Sequence, residues 1–262
     1  MPNYKKRKKI SRIKYLKLKK EGNKLKLYIV RHGQTEWNVL EKFQGQLNSP
    51  LTEAGIEKVR ETAEKLKNVV FSKVYTSQVG RTIGTAEIIL EHNKNQIERE
   101  DKLELNKLYE LNEIYFGEWQ GQTFAEIEKK YPEQYHNYFY DVKKYDAKTI
   151  GGEELKDGLA RFLKGLNQIV SENKEGNILV VTHGTVLELF FNYIQNVEAH
   201  DLDERKLIGN GEYKIFGYED GKYFEIEKIR KYITERDTRS EDDLDCWRNK
   251  RFEGYFAKIS GR

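Results

Sequence analysis

Cysteine is almost missing from this chain. Cys246 is the single thiol among 262 residues, so no disulfide can close within one copy and a stapled extracellular scaffold is excluded. Long hydrophobic runs are missing too. The most apolar stretch, Ile178 to Val181, is far too short to cross a bilayer. The basic start leads into no apolar core and cleavage site, so no signal peptide is expected. There is no internal repeat. Metal-binding patterns are also lacking: the five histidines are scattered, and no HExxH, Asp-rich loop or Cys/His cluster occurs. No metal or other cofactor is therefore expected. A cytoplasmic protein is the default expectation.

What the sequence has in abundance is charge. Charged residues make up 34% and apolar ones 37%, enough for a core under a very polar surface. The net charge of +4 is unevenly spread. Between Lys5 and Lys24 stand eleven Lys or Arg and one acid, Glu21. Such a block reads as a solvated basic tail over 1–24, with RNA or an anionic membrane surface as its functional alternative. Without it the chain is mildly acidic, and no DNA partner is expected. Residues 25–229 form the expected domain. Residues 230–262 read as a charged C-terminal extension.

Within 25–229, strand and helix signals alternate. Leu25 to Val30 reads as a strand running into Arg31-His32-Gly33. Thr52 can cap a helix with Ile56, Val59, Ala63 and Leu66 on one face. A strand from Val69 to Tyr75 and a helix from Arg81 to Leu90 follow. Phe124–Tyr131 and Glu133–Tyr140 read as helices split at Pro132. The tyrosines from Tyr131 to Tyr145 read first as a lid packed on the sheet, and second as the mouth of a pocket. Glu154 to Ser171 is a long helix. Ile178–Val181 has the pattern of a fully buried strand, followed by a helix from Val186 to Gln195. Tyr213–Tyr218 and Tyr223–Glu227 form a closing hairpin around Glu219-Asp220-Gly221. This order predicts an α/β fold: a three-layer sandwich with a mostly parallel sheet, helices on both faces and a helical insertion over the site.

Three polar clusters stand just beyond predicted strands: Arg31-His32-Gly33, then Thr76-Ser77 with Arg81, then Thr182-His183-Gly184. Ligands of open α/β sheets bind beyond the carboxyl ends of the strands. Two histidines and two arginines delivered there make a pocket for an oxyanion, and phosphate matches the arginine fork. Taken singly, each has a bland explanation. A His beside Gly is an ordinary loop residue, and Arg81 alone would be a surface helix residue.

Their order and spacing carry more. RHGQTEWN (31–38) resembles the signature of the histidine phosphatase superfamily, also called phosphoglycerate mutase-like. FQGQLNSPLTEAG (43–55), VYTSQVGRTIGTAEII (74–89), LNEIYFGEWQGQT (111–123), GGEE (151–154) and VVTHGT (180–185) resemble its further blocks in the same order. The likeness spans about Leu25 to Glu227.

The resemblance implies a metal-independent mechanism on small phosphate esters. His32 would be the nucleophile. Arg31, Arg81 and His183, with Asn38 and Gly184, would hold the phosphoryl group. Glu113 would be the acid and then the base, with Glu110 its rival. Thr35, Gln44 and Gly45 would lie on the substrate side. The seventy residues from Glu113 to His183 fit the phosphatase branch, since relatives resembling phosphoglycerate mutases carry a longer insertion there. A phosphoglycerate mutase remains the alternative within the family. A non-catalytic binding module using the basic tail is the alternative of another class.

Overall fold

The computed structural model describes residues 24–98, 100–195 and 208–226. Apart from Lys24, the expected basic tail lies outside the described residues, as does the expected extension over 230–262. Six strands form one sheet: β1 (Lys26–Arg31), β2 (Phe71–Thr76), β3 (Leu105–Lys107), β4 (Asn177–Thr182), β5 (Tyr213–Glu219) and β6 (Lys222–Glu225). Their spatial order is β3-β2-β4-β1-β5-β6. The first four in that order run parallel, β5 pairs antiparallel with β1, and β6 pairs antiparallel with β5. The expected mostly parallel α/β sheet is therefore the observed one.

Strand alternation explains the two cores. Leu27 and Ile29 of β1 and Ile178 and Val180 of β4 enter one apolar cluster, with residues of α7 (Leu155–Glu172) and α8 (Gly184–Ile194). Tyr28, Val30, Leu179 and Val181 point the other way. There they meet α2 (Glu53–Leu66) and α3 (Gly80–Glu91). A run apolar at every position thus feeds both faces, as expected for a strand covered on each side.

Helix α2 begins where Thr52 predicts. Its Oγ1 accepts a bond from the Gly55 N–H at 2.9 Å, and Val59, Ala63 and Leu66 are buried. Ile56, expected in the same stripe, is only half-buried. It lines a shallow groove of about 410 Å³ with Leu51, Gly84 and Ile88.

The insertion consists of α5 (Phe124–Lys130) and α6 (Pro132–Tyr140), with Pro132 in the first turn of the second helix. It docks through aromatic rings. Phe43 meets Phe116, Trp119, Phe124 and Tyr138 at centroid distances of 4.9, 5.1, 5.0 and 5.5 Å, all edge-on. Each such pair adds about 1 kcal/mol to the apolar burial itself. Tyr138 and Tyr145 are buried and Tyr140 is exposed, so the packing reading holds for the first two.

Other departures from expectation have plain causes. Strand β3 and the short helices α1 (Glu36–Val39) and α4 (Lys94–Ile97) contain too few residues to show a period. The hairpin is tighter than expected, turning on Asp220 and Gly221 alone at φ 52° and 77°. Helix α8 starts at Gly184 rather than Val186, for a reason found in the site.

Candidate active site

Sheet order brings the site together. Strand β4 lies between β1 and β2, and the parallel registers pair Arg31 with Thr182 and Thr76 with Val181. The next residues follow suit: His32 N–H donates to Thr182 O at 3.0 Å, and Ser77 N–H to Val181 O at 3.2 Å. His32 and His183 therefore leave adjacent strands side by side. Their ring centroids are 5.3 Å apart at 61°. Arg81 arrives from the first turn of α3, beyond the third strand end.

The ring of His32, the expected nucleophile, is oriented by one hydrogen bond. His32 is 3% exposed, and its Nδ1 lies 2.7 Å from the Gly33 carbonyl oxygen. A carbonyl can only accept, so Nδ1 carries the proton and Nε2 keeps the lone pair. His183 is fully buried. Its Nε2 is 2.8 Å from Ser77 Oγ, which is itself 2.7 Å from Thr82 Oγ1. His183 Nδ1 has no hydrogen-bond partner among the described residues.

Both arginines are tethered at one end and open at the other. Arg81 donates from Nη1 to Leu47 O at 2.5 Å and from Nη2 to Gly45 O at 2.7 Å. Arg31 donates from Nη1 to Ile208 O at 2.7 Å. The Nε of each is buried without a partner among the described residues. Gly184 lets Arg31 lie against the start of α8, since a Cβ there would stand 3.1 Å from the guanidinium carbon.

Glu113 is 7% exposed and accepts three backbone bonds. Ile114 and Val186 N–H reach Oε1 at 3.0 and 3.1 Å, and Thr185 N–H reaches Oε2 at 3.0 Å. This is why α8 begins early. His183 offers no side-chain cap, and the distant carboxylate supplies it, favoured by the helix dipole. Glu110, the rival acid, instead pairs with Lys164 at 3.0 Å on α7.

The remaining expected residues divide. Gln44 is buried with Oε1 unpartnered among the described residues, and Gly45 lends its carbonyl to Arg81. Asn38 commits its Oδ1 to the Thr35 N–H at 3.0 Å in the cap of α1, leaving only its NH₂ side for an anion. Thr35 is buried, its hydroxyl used in that cap. Sequence reading placed Ser77 only in a polar cluster beyond a strand and assigned no role to Thr82, Ile208 or Asn210. Asn210 Nδ2 donates to His32 O at 3.2 Å across 178 positions, a contact with no local signal.

A family model for the histidine phosphatase superfamily (branch 1) matches residues 27–231. The chain belongs to the histidine phosphatase superfamily. Similar proteins include a phosphoglycerate mutase from Schizosaccharomyces pombe, 30% identical over 207 residues (78% of this chain, 95% of the relative). A metal-independent phosphoserine phosphatase from Arabidopsis thaliana is 33% identical over 176 residues (66% of this chain, 70% of the relative). The structure of Bacillus stearothermophilus YhfR superposes with a TM-score of 0.70 at 28% identity, covering 77% of this chain and 95% of that one.

In this member of the superfamily the electrostatics follow from burial under positive charge. Burial first, then the Arg81 and Arg31 charges, push the His32 imidazole well below its ordinary value. Burial, then Arg81 and His32, do the same to His183. Burial pushes Arg81 down to about 10, opposed by Glu113, and lowers Arg31 with the same opposition. Both rings are thus neutral at neutral pH. Among the described residues no group of three His, Cys, Asp or Glu could hold a metal ion. No helix among them is long and apolar enough to cross a membrane.

Proposed function

We propose that the chain is a phosphomonoester hydrolase acting on small phosphorylated metabolites through a phosphohistidine, without a metal. The observation that carries this is the His32 ring, with Nδ1–H engaged on Gly33 O at 2.7 Å and Nε2 unblocked beside His183. Nε2 attacks phosphorus, the P–O ester bond breaks, and the leaving oxygen takes a proton from the Glu113 carboxyl. Oε2 accepts one N–H against two on Oε1, so it is the oxygen with room for that proton. Glu113 then takes a proton from water, whose oxygen attacks phosphorus as the P–N bond breaks. Phosphate leaves and the His32 lone pair returns. The guanidinium groups of Arg31 and Arg81 balance the phosphoryl charge throughout, while His183 and the Asn38 NH₂ add neutral hydrogen bonds. The single cysteine and polar composition support a cytoplasmic setting.

A mutase is the second reading, favoured by relatives that bear that name. Steady release of inorganic phosphate from a monoester, with no bisphosphate primer present, is the expected result. Transfer to a second substrate that needs a primer, with no net release, would replace hydrolase by mutase.

A further inference from the structure

The GGEE segment has no role in that chemistry, yet its Glu153 is mostly buried and lies against the segment that carries the acid. Glu153 forms a two-pronged ion pair with Arg161 of α7: Nε to Oε1 and Nη2 to Oε2, each 2.7 Å. The guanidinium then spends its remaining donors on backbone carbonyls of the acid-bearing segment. Nη1 reaches Glu110 O at 3.0 Å and Asn112 O at 2.9 Å, and Nη2 reaches Glu113 O at 3.1 Å. Glu153 closes the grip from the other side. Its Oε2 accepts from Tyr115 N–H at 3.1 Å, and its own N–H donates to Tyr115 O at 2.7 Å.

The helix surface is shaped for this. Gly158 and Gly165 flank Arg161 on one face of α7. A Cβ at Gly158 would overlap Ile114 Cδ1, and one at Gly165 would stand 2.6 Å from Glu110 Cβ. The residues on either side of Glu113 thus lie in a shallow cradle of α7, with the ion pair between the two glycines.

We propose that the Arg161–Glu153 pair is the positioning device for the acid, fixing residues 109–115 on α7 so that the Glu113 carboxyl meets the leaving oxygen. A lysine cannot replace it, because one ammonium cannot pair with a carboxylate and hold three carbonyls in a plane. The proposal rests on the reading of Glu113 as the proton donor.

The test uses two esters and the value of kcat/KM, which reports the phosphorylation half-reaction alone. Glycerol phosphate has an alkoxide leaving group that needs a proton; 4-nitrophenyl phosphate does not. In Arg161→Lys, Arg161→Met and Glu153→Gln, kcat/KM for glycerol phosphate should fall about tenfold to a hundredfold, as misplacing a catalytic group by about 1 Å does. For 4-nitrophenyl phosphate it should change about twofold at most. Gly165→Ala keeps the ion pair but presses a methyl against Glu110 Cβ, 2.6 Å away, and should give the same ester-selective loss. Arg161→Lys carries the test if the methionine variant melts. Equal losses on the two esters, or no loss in Arg161→Lys, overturn the proposal. Glu113→Gln run alongside separates the two failures. If it does not discriminate between the esters, the acid assignment falls; if it does and the Arg161 variants do not, the clamp falls.

Discussion

The two halves of the proposed site are held by different physics. The phosphoryl half hangs from the ends of β1, β4 and β2, three neighbouring parallel strands with fully buried residues on both faces. Main-chain ladders set the distance between His32 and His183, and little short of unfolding the sheet could change it. The acid half sits on the stretch from β3 to α5, which holds one three-residue strand and two single turns of 3₁₀ helix. Glu113 is kept there by side-chain bonds from Arg161 and Gln46 and by the N–H groups of α8. On the proposed mechanism, attack on phosphorus and protonation of the leaving group therefore depend on separable supports.

Variants can break or sharpen that division. His32→Ala should cost the most, a fall in kcat on the order of 10⁴ or more on every ester. Wild-type protein denatured in alkali after exposure to labelled ester should retain an acid-labile phosphoryl group that the variant lacks. Retained turnover in the variant would remove the nucleophile from the sheet half altogether. Arg81→Ala should come next, at about 10²- to 10³-fold on good and poor leaving groups alike. A loss confined to poor leaving groups would place Arg81 with the acid half. Glu113→Gln should cost about 10²-fold or more for alkyl esters and well under that for 4-nitrophenyl phosphate. A uniform loss would merge the two halves.

The smallest effect concerns pH. Burial and the neighbouring arginines hold both imidazoles well below their ordinary value of 6.5. The folded chain therefore stays neutral there while the unfolded chain takes up protons. Their contribution to stability is complete above about pH 6.5 and is lost as pH falls toward the folded values. The limiting slope is about 1.4 kcal/mol per pH unit for each ring. Thermal melts from pH 7.5 to 5 should drop more steeply for wild type than for a His32→Asn, His183→Asn variant. Equal slopes would show that the rings are not held neutral. Once the second ionisation of the substrate phosphate is allowed for, the acid limb of kcat/KM should likewise show no imidazole ionisation near 6.5.

Much of this was legible in the residues. The alternation of Leu25–Val30, the run Ile178–Val181 and the Thr52 cap fixed the main strands and helices, because local periodicity and capping act over a few residues. The blocks around His32, Arg81 and His183 signalled which side chains meet at the sheet edge, because each follows its strand directly. Other features depended on contacts far apart in the chain. Neither the early start of α8 on Glu113, nor Asn210 behind His32, nor the hold of Arg161 on residues 110–113 leaves a local pattern. Sequence determined which elements form and which side chains stand at strand ends. Only the tertiary structure decided which lone pair, N–H and carboxylate oxygen face one another, because hydrogen-bond pairing depends on distances between atoms and not on positions along a chain.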